Sequence, residues 1–329
     1  MLDLKLDITS VGKDETLVYD VASIGGGPAG LTAGIYSARA LLKTVVFEKL
    51  GCGGQLAITD RIEKYPGFPE GINGFELSNK MKEQAENFKV KFEFLEVESL
   101  IKDENSNCFL IKSGNKEFKA RAVIFATGTT PKRLNIPGEN EFWGRGISSC
   151  ATCDGALFKD KVVAVVGGGD SALDEGLFLT KFAKKVYIIH RRNELRAAKI
   201  LQLRAMNNPK IEFIFDTVVE EVIGENKLKQ LKLKNLKTGD ISYLEVDGMF
   251  IYIGLLPNTE LLKVFSGVLD ENGFVITNEK METNVSGLFA AGDCRNKILR
   301  QVATAVADGA IAAYSAEKYL EKLECENKL

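Results

Sequence analysis

Two glycine-rich loops built to one grammar constrain the fold of this chain more than any other feature. Gly25-Gly26-Gly27-Pro28-Ala29-Gly30 follows the apolar run Val18-Tyr19-Asp20-Val21-Ala22-Ser23-Ile24, and Gly167-Gly168-Gly169-Asp170-Ser171-Ala172 follows Val162-Val163-Ala164-Val165-Val166. Each loop opens a stretch with helical spacing, residues 30–39 and 171–179. Each helix then leads to a second apolar run, Thr44-Val45-Val46-Phe47 in one case and Val186-Tyr187-Ile188-Ile189 in the other. Strand, glycine turn, helix and strand are the order of a dinucleotide-binding module, in which the glycines let backbone approach a pyrophosphate at the helix N-terminus. A bare glycine triplet reads equally well as a tight turn, and the flanking strands argue against that.

The two modules end differently, and the difference selects the ligands. Glu48 closes the second strand of the first module, about 20 residues past the loop, where an acid accepts hydrogen bonds from an adenosine ribose. The second module carries His190-Arg191-Arg192 there, with Arg196 one turn further on. Guanidinium groups pair bidentately with a 2′-phosphate that an acid would repel, so the second site is expected to prefer NADP(H). A solvated basic face is the bland alternative, but the run stands directly at a strand end. Two modules with different ribose signals imply two cofactors, which leaves FAD for the first. Later, Gly287-Leu288-Phe289-Ala290-Ala291-Gly292-Asp293 reads as a strand ending in Gly-Asp, followed by a helix-like stretch from Arg300-Gln301-Val302 to Tyr319. A helix N-terminus there could offset negative charge on a reduced flavin.

At 329 residues the chain is long enough for two ordinary domains, and 45% hydrophobic with 27% charged residues marks a globular protein. A net charge of −2 gives no electrostatic footprint for nucleic acid. No apolar run reaches the roughly 18 residues of a membrane span. The start, Met1-Leu2-Asp3-Leu4-Lys5-Leu6-Asp7, lacks the basic and apolar regions of a secretory signal, so a cytoplasmic location is expected. Of six cysteines only Cys150 and Cys153 are close in sequence. Zinc would need two further ligands at matching spacing, and His190 is the single histidine, so no metal is expected. In a reducing compartment such a pair is more often catalytic than structural.

Taken in order, further segments carry a resemblance that runs over essentially the whole chain. They are Gly53-Gly54-Gln55-Leu56, Tyr65-Pro66-Gly67, Ala126-Thr127-Gly128, Cys150-Ala151-Thr152-Cys153-Asp154-Gly155, Ile253-Gly254, Pro257-Asn258-Thr259, Gly292-Asp293 and Arg300-Gln301-Val302-Ala303. With the two loops and the arginine cluster, the chain resembles the bacterial-type, low-molecular-weight thioredoxin reductases. The resemblance implies an α/β flavoenzyme, a homodimer, with two Rossmann-like domains and the NADPH domain inserted into the FAD domain. On this chain it puts the FAD domain at residues 1–128 and 257–329 and the NADPH domain, carrying the dithiol, at 129–256. The FAD contacts it implies are Gly25, Gly27, Pro28, Ala29, Gly30, Glu48, Gly54, Gln55, Leu56, Gly128, Gly292, Asp293, Arg300, Gln301 and Val302. For NADPH they are Gly167, Gly169, Asp170, Ser171, Ala172, His190, Arg191, Arg192 and Arg196. Cys153 would face the flavin and Cys150 would attack thioredoxin.

The implied reaction passes electrons from NADPH to FAD, to Cys150–Cys153 and to thioredoxin, with rotation of the inserted domain between half-reactions. Release of thiol products needs a proton donor. With the histidine placed at the 2′-phosphate site, Asp154 is the candidate acid, against the plainer reading of a turn or helix cap. Two positions depart from the family: Lys64 replaces a common asparagine, and Ala156-Leu157-Phe158 follows the Cys-Asp-Gly where aromatic residues are usual. The alternative partner is a glutaredoxin-like or peroxiredoxin-system protein. The other branch of disulfide reductases would use cysteines in the first module, but Cys52 is followed at position 57 by alanine. A ferredoxin-dependent enzyme would lack the arginine cluster, and a non-catalytic flavin sensor would be expected to have lost the dithiol or the acid.

Overall fold

The computed structural model describes residues 18–59, 61–103 and 106–326; the N-terminal stretch read for targeting lies outside them. The chain opens with β1 (Val18–Ile24), α1 (Pro28–Arg39), β2 (Thr44–Phe47), α2 (Gly74–Asn87), β3 (Lys91–Glu93), β4 (Ser99–Asp103), β5 (Cys108–Ser113) and β6 (Lys116–Phe125). There follow β7 (Thr129–Pro131), α3 (Glu139–Phe142), β8 (Ile147–Ser148), α4 (Ala151–Asp154), β9 (Val162–Gly167), α5 (Asp170–Leu179), β10 (Lys185–Ile189), α6 (Lys199–Met206) and β11 (Ile211–Ile214). The strands β12 (Thr217–Gly224), β13 (Leu228–Asn235), β14 (Ile241–Glu245), β15 (Gly248–Tyr252), β16 (Leu255–Pro257) and β17 (Leu288–Ala290) precede the closing helix α7 (Val302–Glu326).

Contacts divide these elements into two units. The first holds the described residues up to Gly54, then Ser78–Gly128 and those from Thr259 onward; the second holds Gln55–Leu77 and Thr129–Asn258. The sequence reading keeps 55–77 in the first domain, whereas the contacts group it with the second unit. Charge pairing contributes to this: Lys64 Nζ lies 3.2 Å from Asp170 Oδ2 on α5, and Arg204 Nη1 on α6 lies 2.9 Å from Glu63 Oε2.

In the first unit the sheet order is β3-β2-β1-β6-β5-β4, with β17 also on β6. The long strand β6 serves two partners: Ala120 faces Phe109 of antiparallel β5, while Val123 to Phe125 run parallel to β17. Successive residues of β6 feed opposite cores, Ala122 and Ile124 on one face and Val123 and Phe125 on the other. A strand buried on both faces reads as a continuous apolar run, which is why β1 was legible as a strand. The second unit repeats the design with the all-parallel order β11-β10-β9-β15-β8. There Val163 and Val165 feed one core and Ala164 and Val166 the other. An antiparallel β12-β13-β14 sheet and the β7–β16 pair complete it.

Candidate active site

Both glycine loops are built to the same plan. Gly25 just after β1 and Gly167 at the end of β9 have φ +110° and +151°, and a Cβ at either would run into a carbonyl, of Ala126 and Tyr252 respectively. Only glycine meets both demands, and the chain can then turn sharply into a helix. Gly27 and Gly169 are the N-caps of α1 and α5; neither helix has a side-chain cap, and a Cβ at either glycine would meet open space. Uncapped N–H groups over an open cradle are what a pyrophosphate requires.

In the first unit, Glu48 accepts from Gly26 N at 2.8 Å and from Leu50 N at 3.1 Å, so its carboxylate stands at the loop. Gly53 N donates to Gly26 O at 2.7 Å, which brings Gly54 beside the loop. On the other side, α1 and α7 make close contact, with no room for a Cβ at Gly309 against the Ala29 backbone. The Gly292-Asp293 turn is held by Asp308 of α7, which accepts from Gly292 N at 3.0 Å, Arg295 Nη1 at 2.9 Å and Lys297 Nζ at 2.7 Å. Asp308 was not flagged in the sequence; the only local signal was an acid inside an apolar helical stretch. Asp293 carries a buried Oδ1 with no hydrogen-bond partner, and burial raises its pKa, with Asp308 adding to the shift. A buried carboxylate oxygen needs a donor, and a hydroxyl-rich group such as the ribityl chain of FAD supplies one. The residues present therefore fit the flavin. Arg300 donates to the carbonyls of Asp293, Arg295 and Lys297 and lies 4.1 Å over Phe274, so its guanidinium braces this turn. Gln301 and Val302 follow at the start of α7, and Gly128 has open space at its Cβ position. Gln55 and Leu56 fall in the second unit, where Gln55 Nε2 donates to Thr129 O at 3.4 Å.

In the second unit, Asp170 starts α5 and takes Ala198 N–H at 2.7 Å, while Arg196 N donates to Gly168 O at 2.7 Å. These bonds tie the 191–198 segment to the glycine loop, with Ser171 and Ala172 in the first turn of α5. Arg191, Arg192 and Arg196 are exposed, and none is in a salt bridge among the described residues. His190 differs from them. Its ring is buried where a Gly168 Cβ would stand, and Nε2 lies 3.1 Å from Glu194 O. Burial, then the nearby arginines, lower its pKa below 6.5, so the positive charge comes from the arginines. A base with a lowered folded pKa binds fewer protons folded than unfolded, so stability from His190 is present above pH 6.5 and is lost on acidification below it. Melting temperatures between pH 7.5 and 5.5 should therefore fall more steeply for the wild type than for His190→Gln; parallel curves would rule this out.

The dithiol lies in the same unit. Cys150 and Cys153 form a disulfide with Cα atoms 5.3 Å apart, Cys150 half-buried and Cys153 exposed. Cys150 caps α4, its sulfur accepting from Cys153 N at 3.1 Å. Asp154 makes no side-chain cap hydrogen bond, so the plain capping reading finds no support. Neither Cys52 nor Cys294 offers a second nucleophile: burial pushes both thiols up to about 11, leaving them protonated at neutral pH.

Two nucleotide cradles and a closed two-cysteine turn on one chain define a flavin-type disulfide oxidoreductase. The family model described as pyridine nucleotide-disulphide oxidoreductase matches residues 19–309. A thioredoxin reductase of Bacillus subtilis is 49% identical over 94% of this chain and 97% of its own length. Another, from Peptoclostridium litorale, is 46% identical over 94% of this chain and 99% of its own. Among solved structures, Lactococcus lactis thioredoxin reductase in its FR conformation superposes with a TM-score of 0.90 at 44% identity, covering 92% of this chain and 99% of that one. T. acidophilum thioredoxin reductase gives 0.87 at 36%, covering 93% and 99%. The chain belongs to the pyridine nucleotide-disulphide oxidoreductases and, within them, to the bacterial-type thioredoxin reductases.

Proposed function

We propose that the chain catalyses NADPH-dependent reduction of the thioredoxin disulfide. The observation that carries this reading is the Cys150–Cys153 disulfide in the same unit as a glycine loop tied to three exposed arginines. Those arginines hold the 2′-phosphate, and the uncapped N-terminus of α5 receives the pyrophosphate. In the first unit Glu48 orients the adenosine ribose of FAD and Asp293 accepts from its ribityl chain. Bound FAD supplies two-electron exchange between a nicotinamide and a disulfide.

In the reduced enzyme the Cys150 thiolate attacks the thioredoxin disulfide; one S–S bond breaks, a mixed disulfide forms, and a thioredoxin thiolate leaves. Cys153 then attacks Cys150 Sγ, restoring the intramolecular disulfide and releasing dithiol thioredoxin. Asp154 donates the proton that the departing thiolate needs. Asp154→Asn should lower turnover with thioredoxin about a hundredfold, the lower end for a general acid; unchanged turnover overturns that role. Since dithiol and nicotinamide share one unit, each reaches the flavin in turn by rotation about the crossings near β7 and β16, two of the four places where the chain passes between the units.

A homodimer fits the exposed rings of Tyr36 on α1 and Tyr314 on α7, and the cytoplasm is the proposed location. No described helix is long and apolar enough to cross a membrane. The test is anaerobic titration of the yellow protein with NADPH followed by oxidised thioredoxin. Bleaching and then reoxidation is expected; bleaching without reoxidation would remove thioredoxin as the substrate.

A further inference from the structure

The turn that holds the two cysteines is fastened to the sheet by two side-chain hydroxyls that the reaction itself does not call on. Ser148 ends β8, is buried, and its Oγ accepts from Cys150 N at 2.9 Å. The same hydroxyl lies 3.3 Å from Cys150 O, within reach as a donor. Tyr252 ends β15, and its Oη accepts from Ala151 N at 3.0 Å. In the parallel pairing of β15 with β8, Phe250 stands opposite Ser148. Tyr252, two residues on from Phe250, points to the same face, since strand side chains alternate. Both Phe250 and Ala151 belong to the core on that face, and Tyr252 is packed against it. The N–H groups of the cysteine and of the residue after it are thus each held by a hydroxyl from a different strand.

We propose that Ser148 and Tyr252 are positioning residues that set the dithiol–disulfide equilibrium of Cys150–Cys153 by holding the backbone on both sides of the Cys150 side chain in its closed geometry. A disulfide tolerates only a narrow range of Cα separations, and the fastened turn holds the pair at 5.3 Å. Ala151 is fully buried, so its N–H in the closed turn has no route to water if Tyr252 Oη is removed. A buried donor without a partner is costly. The dithiol, freed of the sulfur bridge, can rotate that N–H outward and escape the cost. Removing a hydroxyl therefore penalises the disulfide more than the dithiol. Burial also raises the Tyr252 pKa, so the group that meets Ala151 is a neutral hydroxyl throughout the working pH range.

This inference rests on the proposed redox role of the pair, and the experiment separates the two. Holoenzyme without NADPH is equilibrated in dithiothreitol redox buffers. Each exchange breaks the Cys150–Cys153 S–S bond and yields two thiols, while the two thiols of dithiothreitol close into its cyclic disulfide. Acid quenching, alkylation and peptide mass spectrometry then read the two cysteines directly. Tyr252→Phe and Ser148→Ala should each shift the equilibrium toward dithiol by about fivefold, and Ser148→Thr, which keeps the hydroxyl, should return it to the wild-type value. Equilibria within twofold of wild type in both variants, with only the melting temperature lowered, would show mere bracing and overturn the proposal. A Ser148→Thr variant that behaves like Ser148→Ala would overturn it too, and the serine pair decides the matter if Tyr252→Phe does not fold. A wild-type pair that never exchanges in any buffer would remove the redox reading itself, and the proposal with it.

Discussion

Cys150→Ser is expected to abolish turnover with oxidised thioredoxin, by several orders of magnitude, while reduction of the flavin by NADPH continues at its wild-type extent. The two halves of the reaction draw on different residues. On the proposed reading, flavin reduction needs the two glycine-loop cradles, at Gly27 with Glu48 and at Gly169 with the arginines, and none of these touches the dithiol in the hydrogen bonds described. Transfer to thioredoxin needs a sulfur nucleophile, because a serine hydroxyl can neither form a mixed disulfide nor be regenerated by Cys153. Stopped-flow bleaching at the flavin band and a coupled thioredoxin assay measure the two halves separately. Cys153→Ser supplies the complementary result. Prepared in the reduced state, it should trap a one-to-one covalent adduct with thioredoxin on a non-reducing gel, since the resolving thiol is gone. Cys153 is the more exposed residue of the closed pair, so the assignment of attack to Cys150 is open to direct reversal. An adduct with Cys150→Ser and none with Cys153→Ser would exchange the roles.

Replacing Arg191 and Arg192 together with alanine should weaken NADPH binding by on the order of a hundredfold, taking the lower end of about 1.5–3 kcal/mol per charge-assisted hydrogen bond at each arginine, and leave NADH within twofold. The 2′-phosphate is the only group that separates the two nucleotides. Exposed guanidiniums with no salt-bridge partner among the described residues have nothing else to hold at this strand end. Their distance from the loop is restrained by Arg196 N on Gly168 O, so the charges cannot drift away from the cradle. Isothermal titration with the two nucleotides, repeated at higher salt, measures the difference. Equal losses for NADPH and NADH would mean that the double substitution damaged the cradle and that the arginines do not read the phosphate. The lowered pKa of His190 adds that preference for NADPH should not follow the titration of this ring near neutral pH, because the imidazole is already neutral there.

Much of this arrangement is legible in the sequence. The strand–glycine–helix order at residues 18–39 and 162–179 dictates two nucleotide cradles, because only glycine tolerates the turn at Gly25 and Gly167 and because strands buried on both faces must be apolar throughout. The short spacing of Cys150 and Cys153 likewise permits them to meet, and the helical turn at Ala151–Asp154 brings their Cα atoms to 5.3 Å, within bridging distance. His190 reads in the sequence as one more phosphate ligand beside its arginine neighbours; in the fold its ring is buried against Gly168, and burial keeps it neutral near pH 7.

What only the tertiary structure decided are the long-range partners. Asp308 fastens the Gly292-Asp293 turn from a helix that begins nine residues after it, Lys64 finds Asp170 across 106 positions, and Ala151 finds Tyr252 across 101. No local period encodes such pairs. Each depends on which strand lies next to which, and on the demand that a buried N–H or carboxylate be satisfied by whatever the packed neighbour offers. The sequence by itself determined two strand–glycine–helix modules and a pair of cysteines close enough to bridge. The fold determined which hydroxyls, carboxylates and charges hold those parts in place.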